Sequence, residues 1–210
     1  MTKHRWMAAL AAVLLLAGVG TVAATRSLAG SDEKAATEAF KKLSNKGNDT
    51  TIVATVNGES VTRRAVELTL AFSLINGAAD ASGKPLAGVT PEQALRLLID
   101  NSLLAQAAET HGVVATDDEV TLMINSSLID PIAKGDYPAD AAEAMKEHLK
   151  AAGTSLKDAQ TNPELRAAYR KFLLLQRYVS QSGQTRDALL DQARAAATIQ
   201  TFPERLDNTK

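Results

Sequence analysis

Apolar positions recur along the chain first at helical and then at strand spacing, and this pattern divides most of it into elements. Residues 31–46 predict a short, mostly polar helix. Ser31 can cap its start, Asp32 and Glu33 suit the positive end of the helix dipole, Lys41, Lys42 and Lys46 suit the other end, and Gly47 closes it. Its apolar stripe (Ala36, Ala39, Phe40, Leu43) is narrow, which predicts a spacer or a lightly docked helix. Residues 51–56 alternate instead, with Ile52, Ala54 and Val56 on one face and Thr51, Val53 and Thr55 on the other. Asn57-Gly58 follows, and because both central positions of a type I′ turn need positive φ, it predicts a hairpin that returns through 59–61. Thr62 then caps a helix to about residue 76, with Val66, Leu70 and Leu74 on one face.

Gly77, Gly83, Pro85 and Gly88 make 77–89 the longest irregular connection. Thr90-Pro91-Glu92-Gln93 is a capping box with proline in the first turn. Beyond it Ala94, Leu97, Leu98, Asn101, Leu104, Ala105 and Ala108 keep helical spacing until His111-Gly112. A second capping box, Thr116 to Glu119, opens a helix with Val120, Met123 and Ile124 inward, which Asp130-Pro131 should end. A further helix covers about 140–152 and is closed by Gly153. Asn162-Pro163 starts a helix that is apolar around much of its circumference through Leu175 to Val179, the expected central helix of the core. Thr185 caps a last helix, and residues 197–202 read as a terminal strand stopped by Pro203. The fold class is therefore mainly α, with a very small β-sheet made from the N- and C-terminal strands of the domain.

Composition narrows the chemistry. Among 210 residues, Lys+Arg 23 against Asp+Glu 24 leaves a formal net charge of -1, so no bulk attraction to nucleic acid follows. The absence of cysteine removes disulfides, thiolate nucleophiles and Cys-ligated metals, and with them a lipoprotein anchor. Aromatic residues are only 4%, and the single Trp6 lies near the N-terminus, so no aromatic platform for single-stranded nucleic acid is expected.

Residues 1–24 read as a targeting segment. Lys3, His4 and Arg5 precede the uncharged run 6–24, and small residues at Val22 and Ala24 suit cleavage after Ala24. The same run is long enough for an uncleaved membrane anchor, and both readings stand. Either places residues 25–210 outside the cytoplasm. The expected organisation is a signal peptide or membrane anchor over 1–24, a spacer over 25–49, a helical domain over 50–203 and a tail over 204–210.

No residue set points to catalysis. His111 and His148 are the only histidines beyond the targeting segment, without HExxH or paired spacing for a metal. Asp117, Asp118 and Glu119 are explained by the first turn of a helix, and Arg63-Arg64 and the stripe Arg166, Arg170, Arg177 by a solvated face. GxSxG, Walker A and GxGxxG sequences are absent. No cofactor, metal or catalytic residue is assigned.

Four stretches resemble the SurA/PrsA chaperone family in the same order. "IVATVNGESVT" is similar to that family's opening strand, Asn-Gly turn and helix start. "PEQALRLLIDNSLLAQAAETHGVVATDDEV" resembles its next helix pair, at Leu95, Leu98, Ile99, Leu103, Leu104, Ala108, Gly112, Val114, Thr116, Glu119 and Val120. "NPELRAAYRKFLLLQRYV" resembles its long apolar helix at Leu165, Leu173, Leu174, Leu175 and Gln176, and "ALLDQARAAATIQTF" its closing helix and strand. In the family's isomerase members a parvulin domain separates these last two elements. Here only residues 180–184 do, and the parvulin histidines have no counterpart, so prolyl isomerase activity does not carry over. The resemblance implies a SurA N-terminal-like helical cradle that holds unfolded or newly exported polypeptides outside the cytoplasm, without catalysis and without nucleic acid. Met123, Met145, Phe72, Leu86 and Tyr137 are candidates to line it, because adaptable apolar side chains tolerate many client sequences. The peptide-binding surface itself is not defined. The alternative is an envelope adaptor that docks one specific protein partner, with membrane attachment through residues 6–24 under the anchor reading.

Overall fold

The computed structural model describes residues 32–47, 49–75 and 88–206, so the targeting segment, Ser31, Leu86 and most of the 77–89 connection lie outside the described residues. Helix α1 (Asp32–Asn45) leads to a hairpin of β1 (Ile52–Val56) and β2 (Glu59–Thr62). Asn57 and Gly58 take φ of 49° and 84°, the left-handed pair that the Asn-Gly turn requires. The helices then follow as α2 (Arg63–Phe72), α3 (Pro91–Thr110), α4 (Asp117–Ile124), α5 (Asp130–Lys134), α6 (Ala139–Ala151), α7 (Pro163–Ser182) and α8 (Arg186–Ala195). Strand β3 (Ile199–Thr201) returns to lie antiparallel against β1, giving the sheet order β2-β1-β3. The two ends of the described domain are thereby joined, as the mainly α fold class with its small terminal sheet anticipates.

Local chemistry sets most boundaries. Both capping boxes form: Thr90 and Gln93 exchange side-chain bonds at the start of α3, and Thr116 and Glu119 do so at α4. The Asn162 side chain accepts from Glu164 and Leu165 at α7, and that of Thr185 accepts from Ala188 at α8. Three residues, Gly183 to Thr185, connect α7 to α8.

Packing departs from the periodicity in five places. Pairing of β1 with β2 slips by one residue between Ile52 and Ala54, as at a β-bulge. Val53, Ala54 and Val56 are therefore buried together while Ile52 is 37% exposed, so the expected common face of Ile52, Ala54 and Val56 does not hold. The predicted face of α2 is also only partly right: Val66 is buried, but Leu74 lies beyond the helix end and is exposed, and Leu68 and Phe72 are buried in its place. Helix α1 is a core helix and not a spacer, with Ala36 and Phe40 fully buried and the Phe40 ring edge-on to His148 of α6 at 4.8 Å. The helix begun at Thr116 does not stop at Asp130-Pro131. It passes through a π-helical turn, Asn125–Ile129, into α5, and ends at Gly135 in the left-handed region. A π turn shifts donors from the fourth to the fifth preceding carbonyl, so proline's missing N–H falls where the ladder is already re-registered.

The fifth departure concerns the centre. One apolar cluster joins α1, α2, α4, α6 and α7 around Phe40, Phe72, Ile124, Leu149 and Phe172. A second packs the sheet on α2 and α3 through Val53, Val56, Val66 and Leu98, and a third holds α3, α7 and α8 through Leu104, Leu174, Leu175 and Leu189. Helix α7 links the first and third clusters, so the centre is shared with α3, which links the second and third. Helix α3 reads as less apolar because its buried residues include Asp100, Asn101 and Ser102. Each has a partner: Asp100 binds Arg194 at 2.6 Å, Asn101 accepts from Arg186 at 3.0 Å, and Ser102 donates to Glu59 at 2.8 Å.

Candidate functional site

A cavity of about 250 Å³ opens where the β1–β2 turn, α3, α7 and α8 converge. Leu103, Ala107, Ala193 and Ala196 supply its apolar part, and Asn57, Gln106, Gln192 and Tyr178 supply polar groups. Its wall is held by a connected set of hydrogen bonds. Asn57 Nδ2 donates to Gln106 Oε1 at 2.8 Å, and Asn57 Oδ1 accepts from the Thr198 N–H at 2.8 Å. Gln106 Nε2 in turn donates to Glu59 Oε2 at 3.0 Å and to the Val56 carbonyl at 3.2 Å. Glu59 is ion-paired with Lys171 of α7. Burial opposes the Glu59 charge, but Lys171, Gln106 and Ser102 outweigh it and hold the carboxyl below its usual range.

One end of the cavity is set by His111, the C-cap of α3. Its Nδ1 lies 2.8 Å from the Ala107 carbonyl, and its ring lies 5.0 Å from that of Tyr178. Such a histidine satisfies a terminal carbonyl of its helix. Asn57 and Gln106 are committed to that wall and Gln192 Nε2 donates to Gln184 Oε1 at 2.8 Å, which leaves Gln192 Oε1 as the amide acceptor that can meet an extended polypeptide over the alanine-lined floor. The arrangement holds no nucleophile paired with a base.

The residues proposed from sequence to line a cradle do not gather here. Phe72 and Met145 are buried in the first apolar cluster, and Met123 packs half-buried against it. Tyr137 is half-buried and donates to the Ser127 carbonyl at 3.0 Å. Leu86 lies outside the described residues. Helical spacing marks inward positions, and the interior of the bundle takes them before any cleft does. The cavity residues carried no sequence mark, because Asn57, Gln106 and Gln192 converge only through tertiary packing.

The charged motifs are likewise structural, but more specifically than a solvated face. Arg166 and Arg170 of α7 both bind Asp117, and Arg177 binds Glu119, so the stripe ties α7 to the first turn of α4. Arg177, with the Thr116 backbone and side chain, pulls the Glu119 carboxyl down to about 2. Arg63 pairs with Asp49, while Arg64 is buried. Among the described residues no group of three or more His, Asp or Glu could hold a metal ion, and no helix is long and apolar enough to cross a membrane.

The family model described as SurA-like N-terminal domain matches residues 6–140, from the uncharged N-terminal run to the first residues of α6. No curated protein and no solved structure matches. Of the four stretches that carry the resemblance, the hairpin and the α3–α4 pair fall inside the matched span, while α7 and the closing helix and strand lie beyond it; the chain belongs to the SurA-like N-terminal domain family, a chaperone-type family.

Proposed function

We propose that this chain is an extracytoplasmic chaperone that holds unfolded or newly exported polypeptides without catalysing a reaction. The observation that carries the reading is the family match over residues 6–140. Two features support it. Residues 1–24 have the composition of an export segment, with a basic start and an uncharged run. The alanine-floored cavity between α3, α7 and α8 offers apolar contact without a demanding shape, under a polar rim. Holding requires no nucleotide, and the sequence has no Walker A motif to bind one.

The purified chain is tested against several unrelated unfolding proteins. It should slow their aggregation without ATP, and should still do so in moderate salt, because apolar contact is not screened as charge pairing is. Trp6 is the only tryptophan, so client tryptophan fluorescence can be followed over little background. A proline tetrapeptide should isomerise no faster than its spontaneous rate, roughly tens to hundreds of seconds. Protection of no client would favour the adaptor reading, and isomerase activity that survives purification would refute the non-catalytic one.

A further inference from the structure

A second cavity, of about 360 Å³, lies where the ends of α1 and α6 meet the start of α7. Arg64, Lys150, Ala151, Asn162 and Glu164 are among its lining residues. Arg64 is only 3% exposed. Its Nη2 donates to the Ala151 carbonyl at 2.7 Å, and because Ala151 also lines the cavity, this bond fixes the guanidinium at the cavity wall. Nη1 is buried and meets no hydrogen-bond partner among the described residues.

The neighbouring charges do not complete Arg64. Asp49 and Glu67 are near enough to favour its charge, but Asp49 is bound by Arg63 and Glu67 faces Lys46 at 3.6 Å. His148 lies behind it, fully buried, and burial together with the Arg64 charge keeps that ring neutral. Glu164 lines the cavity, yet its carboxyl is pushed above the usual range by burial, the sole cause of that shift. A guanidinium does not shed its proton at physiological pH, so a bare buried N–H is costly until an acceptor arrives. Also in the lining, Asn162 caps the positive end of α7, and Lys150, whose side chain is largely exposed, lies 3.8 Å from Glu147.

We propose that this cavity is a carboxylate-binding site, in which Arg64 receives the ligand oxygens and Lys150 adds a second, outer cation. Arg64 is the cation that no carboxylate completes, while Lys150 is shared with Glu147 and Glu164 adds a carboxyl to the lining, so the site suits a monoanionic carboxylate better than a phosphate dianion. The carboxylate can come from the C-terminus of a polypeptide or from a free small acid. The site does not rest on the chaperone reading, and failure of either leaves the other standing.

The test titrates the full chain with N-acetyl-trialanine bearing a free carboxylate, with the same peptide amidated, and with acetate, followed by backbone amide NMR shifts. The free-carboxylate peptide should shift Ala151, Gly153 and Glu164, and the amide should bind at least tenfold more weakly. Acetate binding as tightly as the peptide would assign the site to small free acids, and clearly tighter peptide binding would assign it to a polypeptide C-terminus. Arg64→Gln should abolish binding. Because that change also removes the bond to Ala151, Lys150→Gln is the control that leaves the fold intact, and it should weaken binding several-fold at low salt with an unchanged Tm. Equal binding of peptide and amide, shifts that map elsewhere, or unaltered binding in both variants would overturn the proposal.

Discussion

Tyr137 Oη donates to the carbonyl of Ser127 at 3.0 Å, four residues before Pro131, which has no N–H to offer it. The tyrosine thus supplies a donor beside a proline that stands inside a helix. Tyr137→Phe strands a half-buried acceptor and should cost about 1 kcal/mol in urea denaturation. Pro131→Ala restores a donor, so on that background the same Tyr137 change should cost less than half as much. Fully additive effects would disconnect the two residues.

Glu59 and Lys171 join the hairpin to α7 at a largely buried ion pair, with side-chain exposures of 17% and 20%. Removing one partner of such a pair is worse than removing both, because the remaining charge loses its compensation. Lys171→Met should cost toward the low end of roughly 3–5 kcal/mol, given the residual exposure, and Glu59→Gln in the same chain should recover part of it. The folded Glu59 pKa is depressed, so its contribution is present above the ordinary carboxylate value and lost as pH falls through the folded one. Lys171→Met should move that acid loss to higher pH. Identical acid limits in the two proteins would show that the pair does not hold Glu59 ionised.

Features closed within four residues were legible in the sequence, and features closed across the chain were not. The caps at Thr90 and Thr116 and the Asn57-Gly58 turn need only near neighbours, and all were visible. That the two terminal strands share one small sheet was expected as well, but the register of β1 against β3 was not, because neither alternation nor the turn sets it. The inward turn of Val53 depends on a slip against β2, the depth of Phe40 on a ring 108 positions away at His148, and the Arg177–Glu119 pair on two helices meeting. The amides around the α3–α7–α8 cavity are ordinary surface residues until those helices pack. Polar residues in particular mislead a periodic reading, since Asp100, Asn101 and Ser102 are buried only because α8 and β2 bring partners to them.

His148 is fully buried between the rings of Phe40 and Phe72, and neither ring nitrogen has a partner among the described residues. Burial, with the Arg64 charge beside it, pushes its pKa down from 6.5 to about 3. Below pH 6.5 the unfolded chain takes up a proton that the folded one refuses. The stability is therefore complete above 6.5 and is lost toward 3, at roughly 1.4 kcal/mol per pH unit inside that window. His148→Leu should flatten the Tm between pH 7.5 and 5. At pH 7.5 it should leave stability within about 1 kcal/mol, because two unserved nitrogens vanish with the ring. A variant with the original pH slope would clear His148 of this role.

The terminal strand should be a structural staple and not a tail. Val56 pairs with Ile199, Thr55 with Gln200 and Ala54 with Thr201, while the Phe202 N–H donates to the Val53 carbonyl at 2.8 Å. Beyond it Arg205 lies over the Phe202 ring at 4.2 Å and donates to the Ile52 carbonyl at 3.1 Å. Deleting residues 197–210 should uncover Ala54 and Val56, turn β1 into an edge strand, and lower the Tm by several degrees or more. Ile52 adds little to that loss, being already exposed. A point substitution separates the ladder from bulk loss of chain. The Asn57 N–H donates to the Thr198 carbonyl, and the Phe202 N–H to Val53, so by alternation Gln200 turns its backbone groups toward β1 and Thr201 turns its own away. Gln200→Pro should therefore approach the deletion in its effect on Tm, whereas Thr201→Pro should cost clearly less. An unchanged melting curve after the deletion, or equal losses from the two prolines, would mean that β3 does not close the domain through this register.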